Sequence, residues 1–295
     1  GGTAGGGGAG GRLALTYTTR THTGAVTATG GTGLNAGAAG TIAISGIAPT
    51  ATAPTATQAT DATGLVTVTS TFDDAEDSDY VAAKVEYSVD GGTSWFKPQL
   101  GSVLAATNTP VPALDNTAVY QLGTTAGGFI KTALGPNTVQ FTWDTQHASN
   151  GEQTIRTNRL TSVKLRLTPF DGLVGTAAVS SANFEVDNQP PQGLANFAAS
   201  SASTTSITWT WTAATEPNHS RYEIWYSSLN ATPVKNGANC TKWYNVNDAA
   251  LATVTTATTT ITGLTQGTTY FAKIYAYDTK GNESTTAQAS FDTTG

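Results

Sequence analysis

The feature that most constrains this chain is a two-residue alternation, repeated in short runs that turn residues close off. In Gly64-Leu65-Val66-Thr67-Val68-Thr69-Ser70-Thr71-Phe72, β-branched and aromatic residues are set against threonine and serine. Successive side chains of a strand point to opposite faces, so such a run buries one face and wets the other. Leu65, Val66 or Val68, and Phe72 are its core candidates. The same signature marks Val81–Val89, Thr138–Trp143, Ser162–Pro169, Ala182–Val186, Ser206–Trp211, Tyr222–Tyr226 and Phe271–Tyr277. Asp90-Gly91-Gly92 is a hairpin turn signal leading into Thr93-Ser94-Trp95-Phe96. The helix formers Leu, Glu, Lys and Met are scarce, with Met absent, while Thr, Val, Tyr and Trp are plentiful. The expectation is an all-β chain of tandem β-sandwiches, preceded by a Gly-rich short-strand segment.

Four regions follow along the chain. Residues 1–46 are Gly-rich, with short alternating runs at Leu13–Tyr17, Ala25–Ala28 and Thr41–Ile44 that read as strands separated by glycine turns. So small an apolar set does not stand alone. Residues 47–62 carry Pro at intervals among Thr and Ala, which reads as an extended linker or as a strand donated to a neighbouring copy. Residues 63–188 form a β-domain, in which about 98–135 is a long, weakly patterned insertion. Residues 189–295 form a second β-domain.

Specific runs carry resemblances. The Gly-rich start resembles the β-repeats of large bacterial cell-surface proteins. The middle region, through "VEYSVDGGTSW", "FTWD", "LRLTPFDG" and "FEVDN", resembles bacterial immunoglobulin-like (Ig-like) or cadherin-like modules. The C-terminal region resembles a fibronectin type III domain through Pro190-Pro191, "SITWTW", "YEIWY", "TITGLTQGTTY" and "FAKIYAY". That resemblance places an indole of strand Ser206–Trp211 in the core, makes Leu264 a plug at the core's end, and lets the Tyr270 hydroxyl return to backbone upstream.

Charge narrows the function. Only 12% of residues are charged, against about 25% in an ordinary domain, and the net charge is −6. Binding nucleic acid through phosphates needs a basic surface, so that class is excluded. No apolar run of membrane-spanning length occurs. Cys240 is the lone cysteine, so no intrachain disulfide forms, and a bacterial or phage source is expected over a secreted eukaryotic one. The lack of Met, even at position 1, leads to the expectation of a processed chain or a piece of a longer one.

Candidate chemistry is sparse. His22, His147 and His219 are scattered, and the adjacent His219-Ser220 lacks an evident orienting carboxylate. The Gly runs are followed by β-pattern and not by a helix, which a phosphate cradle requires. The sharpest signal is acidic: Asp73, Asp74, Glu76, Asp77 and Asp79 place five carboxylates in seven residues, a set that Ca²⁺ would relieve. Asp144, Asp171 and Asp187-Asn188 are further oxygen donors. Six tryptophans raise a carbohydrate-stacking reading, in which Trp209 and Trp211 share a face and either Ile224 or Trp225 points outward. Overall the sequence reads as a non-enzymatic structural or adhesive module of a bacterial extracellular surface protein. It would be a homo-oligomeric fibre or assembly subunit joined by strand addition. The alternatives are the glycan-binding accessory part of a polysaccharide-degrading enzyme, or a phage structural protein.

Overall fold

The structure is a computed structural model that describes residues 13–16, 42–45, 47–75, 81–124, 128–286 and 288–294. It is all-β. The expected strand at 25–28 and the N-terminal glycine runs lie outside the described residues. By contact the chain divides into two compact units. The first comprises residues 1–57, 66–152 and 161–184, and the second comprises 58–65, 153–160 and 185–295.

In the first unit, β1 (Leu13–Thr16) pairs in parallel with β2 (Ile42–Ser45), Leu13 opposite Ile42. One sheet runs β3 (Thr50–Ala51), β5 (Leu65–Asp73), β8 (Asn137–Asp144), β7 (Leu100–Ala106), with β4 (Thr55–Gln58) also on β5. The other sheet has β9 (Arg159–Phe170) between β10 (Ala178–Val179) and β11 (Phe184–Asp187), with β6 (Ala82–Ser88) also on β9. The alternation of β5 is kept residue by residue: Val66, Val68 and Phe72 are fully buried, and Leu65 lies on the half-buried face. The core closes around Trp143 and Tyr87, whose ring centroids are 4.7 Å apart. Each donates a hydrogen bond, the indole Nε1 to Asn150 and the Tyr87 hydroxyl to the Glu152 carbonyl. Burial pushes the Tyr87 phenol up to about 12.

Three expectations change in this unit. The Thr/Pro stretch 47–62 is neither a linker nor free to be donated, because β3 and β4 both pair with β5 of the same chain. Pro49 and Pro54 are buried there. Proline is tolerated on an edge strand because its missing N–H is not asked for, and composition alone does not separate such an edge from an extended linker. The insertion at 98–135 holds a seven-residue strand, β7. The run after Asp90-Gly91-Gly92 contributes only a single bridge, Phe96 to Tyr87. The turn itself forms as expected: Gly91 and Gly92 have φ of 75° and 104°, and Asp90 Oδ1 accepts from the Thr93 and Ser94 amides.

The second unit is a sandwich of two sheets. One runs β12 (Ala195–Ala202), β13 (Ser206–Thr212), β16 (Thr258–Thr262). The other runs β15 (Thr241–Tyr244), β14 (His219–Ser227), β17 (Thr269–Asp278), β18 (Glu283–Thr285), with β19 (Ala289–Asp292) also on β17. Ile207, Trp209 and Trp211 project from β13 into the core, meeting Tyr222, Ile224, Ala272 and Ile274. Trp209 stacks on Phe197 at 5.1 Å. Leu264 belongs to this core, and the Thr265 amide donates to the Tyr270 hydroxyl at 3.0 Å, the corner expected from the sequence.

Candidate functional site

The densest polar cluster of the second unit gathers at one end of β14 and β17. Asp278, the last residue of β17, is 2% exposed and Glu216 is 6% exposed. Asp187, at the end of β11, is fully buried. The Asn218 side-chain amide donates to Asp187 at 2.7 Å and to Glu185 as well. The Arg159 guanidinium lies 2.5 Å from Glu185 and 4.0 Å from Asp187. Asn282 donates to Asp278 Oδ2 at 2.7 Å and to the Asp187 carbonyl at 2.9 Å.

Gln58 completes the cluster from far away in sequence. It donates to the Asp187 carbonyl at 2.9 Å and to Asn188 Oδ1 at 3.0 Å, and it accepts from the Asp187 amide at 2.8 Å. Asn188 in turn donates to the Ile155 carbonyl. Segments 58–65 and 153–160 are thereby stapled to the sandwich. A close approach at Gly281 supports this: its φ is +87°, and a Cβ there would come within 2.7 Å of the Thr60 carbonyl oxygen.

The electrostatics of the cluster are unbalanced. Burial raises the carboxyl of Glu216 above its ordinary value, and Asp187 and Asp278 add to the rise. Asp278 is likewise raised, by burial first and by Asp187 as well, against the hydrogen bonds from Asn282 and Lys280. Four carboxylates thus share one guanidinium and a set of amides. Their oxygens are taken up by protein donors, and the cluster acts as a clasp.

Of the acidic run, two residues are described. Asp73 is half-buried and Asp74 is buried at the end of β5, while Glu76, Asp77 and Asp79 lie outside the described residues. Asp144 and Asp171 each accept a local amide, from Gln146 and Leu173. Among the described residues, no group of three or more His, Cys, Asp or Glu side chains is arranged to hold a metal.

The tryptophans are covered. Trp143, Trp209, Trp211 and Trp225 are buried, and Trp95 and Trp243 are half-buried. Trp225 does point away from the main core, but Tyr275, Tyr277 and Cys240 close over it. Arg166 lies over Trp95 at 4.2 Å, and Trp243 packs on the main core. Each indole thus has a protein neighbour, and Trp95 and Trp243 keep part of their surface exposed.

His219 packs against Tyr222 at 4.6 Å, and burial lowers its imidazole below the ordinary value. Ser220 is approached by Arg221. A polar cavity of about 400 Å³ opens beside them, lined by Asp61, Arg221, Lys235, Tyr277 and Asp278 among others. Its cations are already engaged, Arg221 with Glu223 at 2.7 Å and Lys235 with Glu283 at 2.8 Å. Of the clasp, only Asp187-Asn188 carried a signal in the sequence. Gln58 and Arg159 did not, because their partners lie up to 130 residues away.

Residues 189–292 match the family model of the fibronectin type III domain. No curated protein matches the chain. Among solved structures, the chain is similar to a crystal structure of domains from titin, at 9% identity and a TM-score of 0.44, covering 90% of this chain and 73% of that one. It is similar over 36% of its length to a Fn3-like protein from Clostridium thermocellum, at 24% identity and a TM-score of 0.26, covering 97% of that chain. Over the same share it is similar to a chitinase from Bacillus thuringiensis, at 26% identity and a TM-score of 0.27, covering 14% of that chain. The C-terminal module is a fibronectin type III domain, and the first unit, whose sequence resembles Ig-like modules, is likewise built of β-sheets.

Proposed function

We propose that this chain is a structural or adhesive module of an extracellular bacterial surface protein, working as a spacer or assembly subunit. Domains of these two kinds are typically non-catalytic. The observation that carries the reading is the clasp. It spends Gln58, Arg159, Glu185, Asp187, Asn218 and Asn282 on tying chain segments together, and its donors and acceptors are turned on one another. Hydrogen bonds between segments far apart in sequence resist their separation cooperatively, which suits a part that transmits force. The low charge fits the same role, since long charged side chains are costly to desolvate in a packed assembly.

The acidic loop beginning at Asp73 and Asp74 remains the place where this reading puts a Ca²⁺ ion, as a support of the first sandwich. Immunogold electron microscopy of the source cells, with fractionation, tests the main proposal. Label on the outer surface is the expected result, and retention in the cytoplasmic fraction would overturn it.

A further inference from the structure

We infer that Asn236-Gly237 is a self-modification site, at which the chain converts a side-chain amide to a carboxylate with water as the co-reactant. The sequence holds two Asn-Gly pairs, Asn150-Gly151 and Asn236-Gly237. In such a pair the glycine nitrogen can attack the asparagine side-chain carbonyl carbon, because glycine carries no Cβ to hinder the approach. The attack forms a C–N bond, closes a succinimide ring and expels the side-chain nitrogen as ammonia. Water then adds to one of the two ring carbonyls and breaks a ring C–N bond. The product is aspartate or isoaspartate, each with a new carboxylate.

The fold treats the two pairs differently. Asn150 is 2% exposed, and its side chain is fixed at both atoms. The amide nitrogen donates to the Asp144, Thr145 and His147 carbonyls, and the oxygen accepts from the Trp143 indole and the Gln99 amide. Asn236 is exposed, and its side chain has no hydrogen-bond partner among the described residues. It sits in the stretch between β14 and β15. There the Gly237 amide donates to the Val234 carbonyl at 2.9 Å, and the Cys240 amide to the Gly237 carbonyl at 3.1 Å. A single turn in an exposed loop opens without disturbing either sheet, and that opening frees the Gly237 nitrogen for attack.

Local packing selects this pair. Asn236 has a φ of 56°, a left-handed conformation that asparagine tolerates better than most residues. A Cβ at position 237 would come within 3.0 Å of the Val234 carbonyl oxygen and 3.1 Å of Cys240 Sγ, so the turn favours glycine there. The same contacts couple the chemistry to the loop. Cys240 packs against the cluster of Trp225, Tyr275 and Tyr277. Isoaspartate adds a carbon to the backbone inside the Val234–Gly237 turn. The new carboxylate lies one residue from Lys235, which pairs with Glu283 at 2.8 Å. Conversion therefore loosens the turn that holds Cys240 in place.

Peptide mapping by mass spectrometry of the full chain, aged in mildly alkaline buffer, tests this, with isoaspartyl methyltransferase labelling to locate the new linkage. The expected result is acid at 236 accumulating about tenfold or more faster than at 150, because the locked pair reacts only through a rarer opening. In denaturant the two pairs should convert at similar rates. Asn236→Gly suits the same left-handed turn and lacks the amide, so it should remove the isoaspartyl signal from the loop. Maleimide labelling of Cys240 should quicken several-fold as the native chain converts, and hold constant in aged Asn236→Gly. Equal native conversion at the two pairs would overturn the inference. So would a difference that persists in denaturant, or Cys240 labelling that does not follow conversion. None of these outcomes bears on surface localisation, which tests the proposed role separately.

Discussion

Two buried acidic sites, one in each unit, are held in opposite ways. In the first, Glu86 is one acid held by two cations: Lys84 at 2.6 Å, and Arg166 through both Nε and Nη2 at 2.8 Å. In the second, Arg159 pairs with Glu185 and lies 4.0 Å from Asp187, while neighbouring Glu216 and Asp278 are served by amides. Amide donors satisfy lone pairs but do not cancel charge, so the second arrangement holds its shape and still disfavours ionisation. A bidentate guanidinium does both. The difference shows that counting satisfied hydrogen bonds is not enough to rank buried polar groups. Charge has to be balanced as well.

The largest expected effect comes from breaking the balanced side. Arg166→Met should leave Glu86 with Lys84 alone and bare one face of Trp95, costing the first unit about 2 kcal/mol. Chemical denaturation followed through the first unit's tryptophans would measure it. An unchanged midpoint would mean that Lys84 suffices. On the crowded side, Arg159→Met should cost the second unit about 1 kcal/mol at neutral pH, because part-exposed Glu185 has its cation replaced by water and buried Asp187, 4.0 Å from that cation, keeps its amide donors.

The pH response sharpens the contrast. The carboxyls of Glu216 and Asp278 are raised, so the stability they lend is complete below about pH 4, the ordinary carboxylate range, and is lost as pH rises through their raised values. In the first unit, Asp90 and Asp115 are lowered by hydrogen bonds from Ser94 and Thr117, so their contribution is present above about pH 4 and is lost as pH falls further. Asp61, lowered by Thr63, opposes the trend within the second unit. His219, lowered by burial, opposes the trend as well, so in a His219→Gln chain β17 should gain protection from hydrogen exchange relative to β8 between neutral pH and about pH 4, after correction for intrinsic rates. Equal changes in both would contradict the assignment.

The smallest effect is expected from Ca²⁺. Occupying a weak loop site at a few times its dissociation constant stabilises by about 1 kcal/mol, a shift of a few degrees in the first unit's melting temperature. Melting with and without chelator measures this, and identical curves would remove the ion from the Asp73–Asp79 loop.

What could be read from sequence was what local pattern controls. The two-residue alternation marked β5, β8, β9, β13 and β17 because burial on one face imposes that period on each strand independently of its partners. The Leu264 plug and the Tyr270 corner were legible through the fibronectin type III resemblance, and the corner's partner, the Thr265 amide, is close in sequence. The clasp was not, because Gln58, Arg159 and Asp278 become neighbours only after the chain has returned to the same end of the sandwich. The covering of Trp225 and the use of 47–58 as the chain's own edge strands were hidden for the same reason. An indole or a Thr/Pro strand looks alike in sequence whether it faces water, a partner or its own chain. The sequence by itself determined that this protein is all-β, low in charge and built of sandwiches. The tertiary structure alone decided which acids crowd and which indoles are buried, because those are properties of proximity between distant segments.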